Sequence, residues 1–70
     1  MNQPVLKNTL KVQRAKKELT QEQLAERVCV TRKTINTVEK GKYVPSTVLA
    51  LKLAKTLDVT VEELFILSEE

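Results

Sequence analysis

Apolar residues recur along this chain at helical spacing in short blocks, and each block follows a serine or threonine. Leu24, Ala25 and Val28 form one stripe, Ile35 and Val38 a second, and Leu49, Ala50, Leu53, Ala54 and Leu57 the longest. Spacings of three and four residues collect side chains on one face of an α-helix. Thr20-Gln21-Glu22-Gln23 and Thr60-Val61-Glu62-Glu63 have the form of capping boxes, in which the hydroxyl and the fourth side chain satisfy each other's backbone amides. Thr31 and Ser46 are further caps, and Asn8 is a candidate cap for a first helix. The pattern predicts five helices, roughly 9–18, 21–28, 32–40, 46–57 and 61–66, hence an all-α, compact five-helix domain. Leu10, Leu19, Val59, Val61, Leu64 and Phe65 are expected to complete the core, and the ends, 1–4 and 68–70, to be loose.

Seventy residues make a single domain spanning 1–70, with its core at about 8–66. A domain of this size hides only about 60% of its extended surface, so good packing and capping must supply its stability. Hydrophobic residues at 41% and charged residues at 30% describe a globular chain. No apolar run approaches the roughly 18 residues that span a bilayer, and no signal-peptide pattern opens the chain, which predicts a cytoplasmic protein. Histidine is absent, Cys29 is the sole cysteine, and no glycine-rich loop or acidic cluster beyond Glu62-Glu63 occurs. Neither an enzyme nor a metal or cofactor site is expected. Cys29 itself reads as a small turn-packing residue.

Charge changes the picture further. The net charge is only +3, but residues 1–45 carry +6 and residues 46–70 carry −3. A basic front and an acidic rear suit a protein that shows one side to a polyanion, although a solvated surface would give the same count. The segment 20–40 gives that front a shape. Two short helices joined by only Cys29-Val30-Thr31 must cross steeply, with Ala25 permitting close approach and Val30 filling the gap. This is helix-turn-helix geometry, which leaves the outer face of the second helix free to enter a major groove. With Ile35 and Val38 inward, Lys33, Asn36, Thr37 and Lys40 face outward and Arg32 lies at the edge. Arginine and lysine can bond guanine, asparagine can bond adenine, and a threonine methyl can touch thymine.

The stretches TQEQLAERV, VTRKTINTVEKGKYVPS and LALKLAKTLDVTVEELF resemble the Cro/repressor (Xre) family of helix-turn-helix transcriptional regulators, in particular its short stand-alone members. The resemblance runs from about residue 8 to 66. It implies a recognition helix at 31–40 with Arg32, Lys33, Asn36 and Thr37 as base-reading residues. It further implies phosphate contacts from Gln21, Lys40, Lys42 and Tyr43, and an ion pair between Arg14 and Glu39. Glu18, Cys29 and Asp58 stand where members commonly have glycine, which puts the shape of those turns in question.

One recognition helix contacts few base pairs, so a homodimer on a pseudo-palindromic double-stranded DNA operator is expected. Val48 and Leu51 project away from the inner face of helix 46–57, and Ile66 and Leu67 add apolar bulk near the end. These four are the candidate dimer interface. Family members sometimes add a small N-terminal strand, for which Pro4-Val5-Leu6-Lys7 is the candidate, giving a small terminal strand pair. The expected function is sequence-specific DNA binding as a transcriptional repressor. The rival reading is a protein-interaction module, or an antitoxin-like protein that binds both DNA and a protein partner.

Overall fold

The computed structural model describes residues 4–69, with side chains from Leu6 to Ser68. The chain runs through β1 (Pro4–Asn8), α1 (Leu10–Lys16), α2 (Gln21–Val28), α3 (Arg32–Glu39), α4 (Thr47–Leu57), α5 (Val61–Leu64) and β2 (Phe65–Glu69). Hydroxyl caps set the starts of the helices from α2 onward. The Thr20 side chain accepts from the Gln23 amide at 3.0 Å, while Gln23 Oε1 accepts from the Thr20 amide at 2.9 Å. Thr60 and Glu63 repeat this box on α5, and Thr31 and Ser46 cap α3 and α4 singly. For α1 the formal cap is Thr9, but the Leu10 amide donates to Asn8 Oδ1 at 3.1 Å. Asn8 therefore supplies the missing acceptor.

The ends of the first four helices share one device. Glu18, Cys29, Gly41 and Asp58 all have left-handed backbones, with φ of 56°, 61°, 74° and 57°. After each, the next amide reaches back five residues: Leu19 to Arg14, Val30 to Ala25, Lys42 to Thr37 and Val59 to Ala54. This is the Schellman closure, which satisfies carbonyls that a helix end would otherwise strand. Leu19, Val30 and Val59 then pack against the core, as the closure's apolar contact requires. A left-handed conformation costs a non-glycine residue about 1–2 kcal/mol, and this buried anchor offsets it. The three non-glycine turns keep the ordinary helix ending, with strain accepted locally. Cys29 is exposed, so it turns the backbone while Val30 does the packing expected of it.

Leu10, Leu24, Ile35, Leu53, Leu57 and Leu64 form the centre of the core, each no more than 1% exposed. Ala25 is buried where α2 crosses α3, with Val28 and Val38 beside it. Ala50, expected in the core, is only half-buried and faces an open groove.

The last helix is shorter than its pattern suggested, ending at Leu64 rather than residue 66. Phe65 turns extended, at φ −120° and ψ 124°, because residues 65–69 pair with β1 instead of continuing the helix. The antiparallel register runs from Pro4 opposite Glu69 to Asn8 opposite Phe65. The fold is thus five helices plus a small terminal strand pair. Pro4, Ser68 and Glu69, expected to be loose, are held in that ribbon; residues 1–3 and 70 lie outside the described residues.

Candidate nucleic-acid interface

The side chains proposed to read DNA are presented by α3, whose inner face is locked by Ile35 and Val38. Arg32 and Lys33 are exposed near its start, Asn36 and Thr37 half-buried one turn on. The Thr37 hydroxyl bonds the carbonyls of Lys33 and Thr34, both at 3.0 Å, which holds its rotamer. Lys33 and Thr37 line one open cleft together with Thr34, Lys42 and Tyr43. Three elements of sequence, the start of α3, its middle and the loop beyond, thus converge on one surface. Lys42 follows the only glycine of the four helix closures, and here the following residue stays exposed instead of entering the core.

Lys40 does not join that cleft. It lies on the other side of the α3 terminus, around a hollow that Leu6, Lys7, Asn8, Glu39 and Gly41 also line. Asn8 Nδ2 donates to the Val38 carbonyl at 2.9 Å, fastening β1 to the end of α3. Sequence reading found Asn8 as a cap but missed this second bond, which joins residues 30 positions apart and leaves no local signature.

Arg14 and Glu39 meet between α1 and α3. Arg14 Nε lies 2.7 Å from Glu39 Oε2 and Nη2 lies 3.3 Å from Oε1, with side-chain exposures of 15% and 6%. Arg14 Nη1 also donates to the Leu19 carbonyl at 2.8 Å. Gln21, expected at a phosphate, turns its amide inward instead. Its Nε2 donates to Glu39 Oε1 at 3.0 Å and to Asn36 Oδ1 at 3.2 Å. The amides of Gln21 and Glu22, ahead of the capping-box bond of Gln23 and the Leu24 bond to the Thr20 carbonyl, lie where a helix start favours phosphate.

The apolar residues considered for dimerisation occupy two places. Val48 and Leu51 are three positions apart on α4 and both exposed, at 63% and 55%. Leu51 lines a groove with Leu6, Ala50, Val61 and Phe65. In the ribbon, Leu67 pairs with Leu6 and so shares its face, whereas Ile66 pairs with Lys7 on the reverse face. Leu67 and Leu51 can therefore belong to one surface more readily than Ile66. Among the described residues there is no group of side chains suited to a metal ion, and no helix long and apolar enough to cross a membrane.

Two short helices in contact, joined by a three-residue turn and carrying a cationic, polar outer face on the second, define a helix-turn-helix domain. A helix-turn-helix family model matches residues 10–64, and the chain belongs to that family in its Cro/repressor (Xre) branch, whose members are DNA-binding transcriptional regulators rather than enzymes. A helix-turn-helix-type transcriptional regulator of Methanocaldococcus jannaschii is 49% identical over 65 residues, covering 93% of this chain and 98% of its own. One from Bacillus subtilis is 48% identical with the same coverages. Among solved structures, the restriction-modification controller protein C.AhdI from Aeromonas hydrophila superposes with a TM-score of 0.72 at 39% identity, covering 77% of this chain and 78% of that one.

Proposed function

We propose that this protein is a sequence-specific double-stranded DNA-binding regulator that acts as a homodimer in the cytoplasm, most simply as a repressor. The observation that carries the reading is the cleft shared by Lys33, Thr37, Lys42 and Tyr43 beside exposed Arg32 on the outer face of α3. Cations and small polar groups on a helix that is anchored only from behind suit a major groove. In this arrangement Arg32, Lys33, Asn36 and Thr37 reach base edges, while Lys42, Tyr43 and the α2 N-terminus meet phosphates; Lys40 serves a phosphate on the ribbon side. Two copies paired through Leu51, Val48 and the Leu6–Leu67 face would present two recognition helices to half-sites about one helical turn apart. A repressor needs nothing further, since occupying a promoter suffices.

Selection of bound duplexes from a random pool tests the reading. The expected product is a pseudo-palindrome whose affinity falls steeply with salt. Recovery of unrelated sequences, or no binding at low salt, would favour a protein-interaction module instead.

A further inference from the structure

The polar groups behind α3 form a relay that ends on a base-reading side chain. Glu39 is held against Arg14 and accepts through both oxygens. An ionised carboxylate can only accept, so Gln21 must turn its NH2 group toward Glu39. The opposite amide orientation would set Gln21 Oε1 against a carboxylate oxygen. The second hydrogen of the same NH2 group then reaches Asn36, 3.2 Å away, and Asn36 must answer with Oδ1. Its own NH2 group is left to point elsewhere, and among the described residues it has no partner. A charge seated between α1 and α3 thus dictates which end of the Asn36 amide stays free.

We infer that Gln21 and Glu39 are positioning residues that fix Asn36 as a hydrogen-bond donor toward the groove, so that it selects a purine with an acceptor edge, guanine above all. The inference rests on the proposal that α3 reads DNA. Guanine offers N7 and O6, both acceptors, to a donor group. Adenine is usually bonded by asparagine through both ends of the amide, N6 donating to the oxygen. Here that oxygen is drawn back toward Gln21, so its remaining lone pair is turned from the base and the two-ended adenine bond is disfavoured. Cytosine offers only the N4 donor and is rejected, and thymine offers one acceptor, O4, against the two of guanine.

Two substitutions should move the preference without adding a DNA contact. Gln21→Met keeps the side-chain length but releases Asn36 Oδ1, and the favoured base at that position should shift from guanine to adenine. Glu39→Gln can turn its amide NH2 toward Gln21, which would reverse the Gln21 amide and then that of Asn36. It should therefore favour bases that offer a donor, although its side chain is nearly buried. In each case the ratio of affinities for the two bases should change by roughly tenfold. Fluorescence anisotropy on duplexes differing only at that base pair, for the intact protein and both variants, provides the measurement. A uniform loss of affinity with an unchanged base ratio in both variants would overturn the inference, since a structural or phosphate role predicts just that.

Side-chain amide signals of 15N-labelled protein without DNA give an independent arm. The Asn36 NH2 pair should shift in each variant; if it is unmoved in both, the relay does not exist. This arm also separates the two ways of failing. A protein that binds no duplex but shows the coupled amides loses the DNA reading and with it the base selection, whereas normal binding with uncoupled amides removes the relay alone.

Discussion

Arg32 and Lys42 are both exposed cations, one at each end of the recognition segment, yet they should answer differently to substitution. Base contacts carry sequence information and phosphate contacts carry salt-dependent affinity. Arg32→Ala or Lys33→Ala should cost about 1–3 kcal/mol on the preferred duplex and much less on random DNA. Lys42→Ala should weaken both by a similar factor and lower the salt slope by about one unit per half-site. Anisotropy titrations on both duplexes across a salt series check this, and equal losses on both for Arg32 and Lys33 would count against α3 as the reading helix. The exposure of Arg32, Lys33 and Lys40 was legible because Ile35 and Val38 announce the buried face and the rest follows by rotation. Asn36 and Thr37, however, are half-buried, and Lys40 lies apart from the cleft. The inward turn of Gln21 was not legible. A glutamine at a helix start bonds phosphate or protein equally well, and only the nearness of Glu39 and Asn36 in space decides between them.

The helix starts could be read from Thr20, Thr31, Ser46 and Thr60, since a cap is a local bond between residues three apart. The helix ends were harder, because three of them use Glu18, Cys29 and Asp58 in a conformation that glycine takes without strain. Replacing any of these three by glycine should stabilise the protein by about 1 kcal/mol, the relief of strain exceeding the entropy that glycine adds to the unfolded chain. Gly41→Ala should destabilise by about 1 kcal/mol through backbone strain alone, since an added Cβ would meet nothing within 4 Å. Urea midpoints for the four variants test the pair of signs together.

A second element-scale prediction concerns α5. Glu63 accepts from the Thr60 backbone amide, and this bond, with help from the Thr60 hydroxyl, holds its carboxyl below the ordinary carboxylate range. A lowered folded pKa means a contribution present above the unfolded value and lost as pH falls through the folded one. Glu63→Gln keeps the acceptor but does not titrate, so its melting temperature should decline less than that of the intact protein over that acidic window. Parallel melting curves would mean the box contributes nothing to acid sensitivity.

At the scale of the molecule, the Arg14–Glu39 pair ties α1 to α3. With both side chains largely out of water, removing either partner should cost about 3 kcal/mol, because the other charge is stranded. Replacing both should cost less than the sum of the single changes, and strict additivity in a double-mutant cycle would show that the two do not interact. In the proposed homodimer, Leu51→Glu and Leu67→Glu should each leave a folded monomer that binds the selected duplex far more weakly. Ile66→Glu, on the reverse ribbon face, should do so less. Sedimentation decides, and dimers surviving all three changes would place the interface elsewhere. The overall arrangement of helices was legible because periodicity and caps are local. The ribbon was only partly so: Phe65 and Ile66 fall within the helix expected at 61–66, and what draws them out of it is a partner strand some sixty residues away.

That ribbon has a mechanical consequence. Pro4 faces Glu69 at its open end, and Asn8 faces Phe65 where it meets the helices. A pull applied across residues 4 and 69 therefore loads one cross-strand pair at a time, peeling the strands apart like a zip. A pull along opposed ends would have loaded all the bonds at once. The ribbon should yield in small steps at low force, and the tension would next fall on Asn8, with its grip on the Val38 carbonyl at the end of α3, and on Thr9, which bonds the carbonyls of Leu64 and Glu63. Force drawn through this part of the molecule is thus divided between α3, gripped by the Asn8 side chain, and the end of α5, held by Thr9.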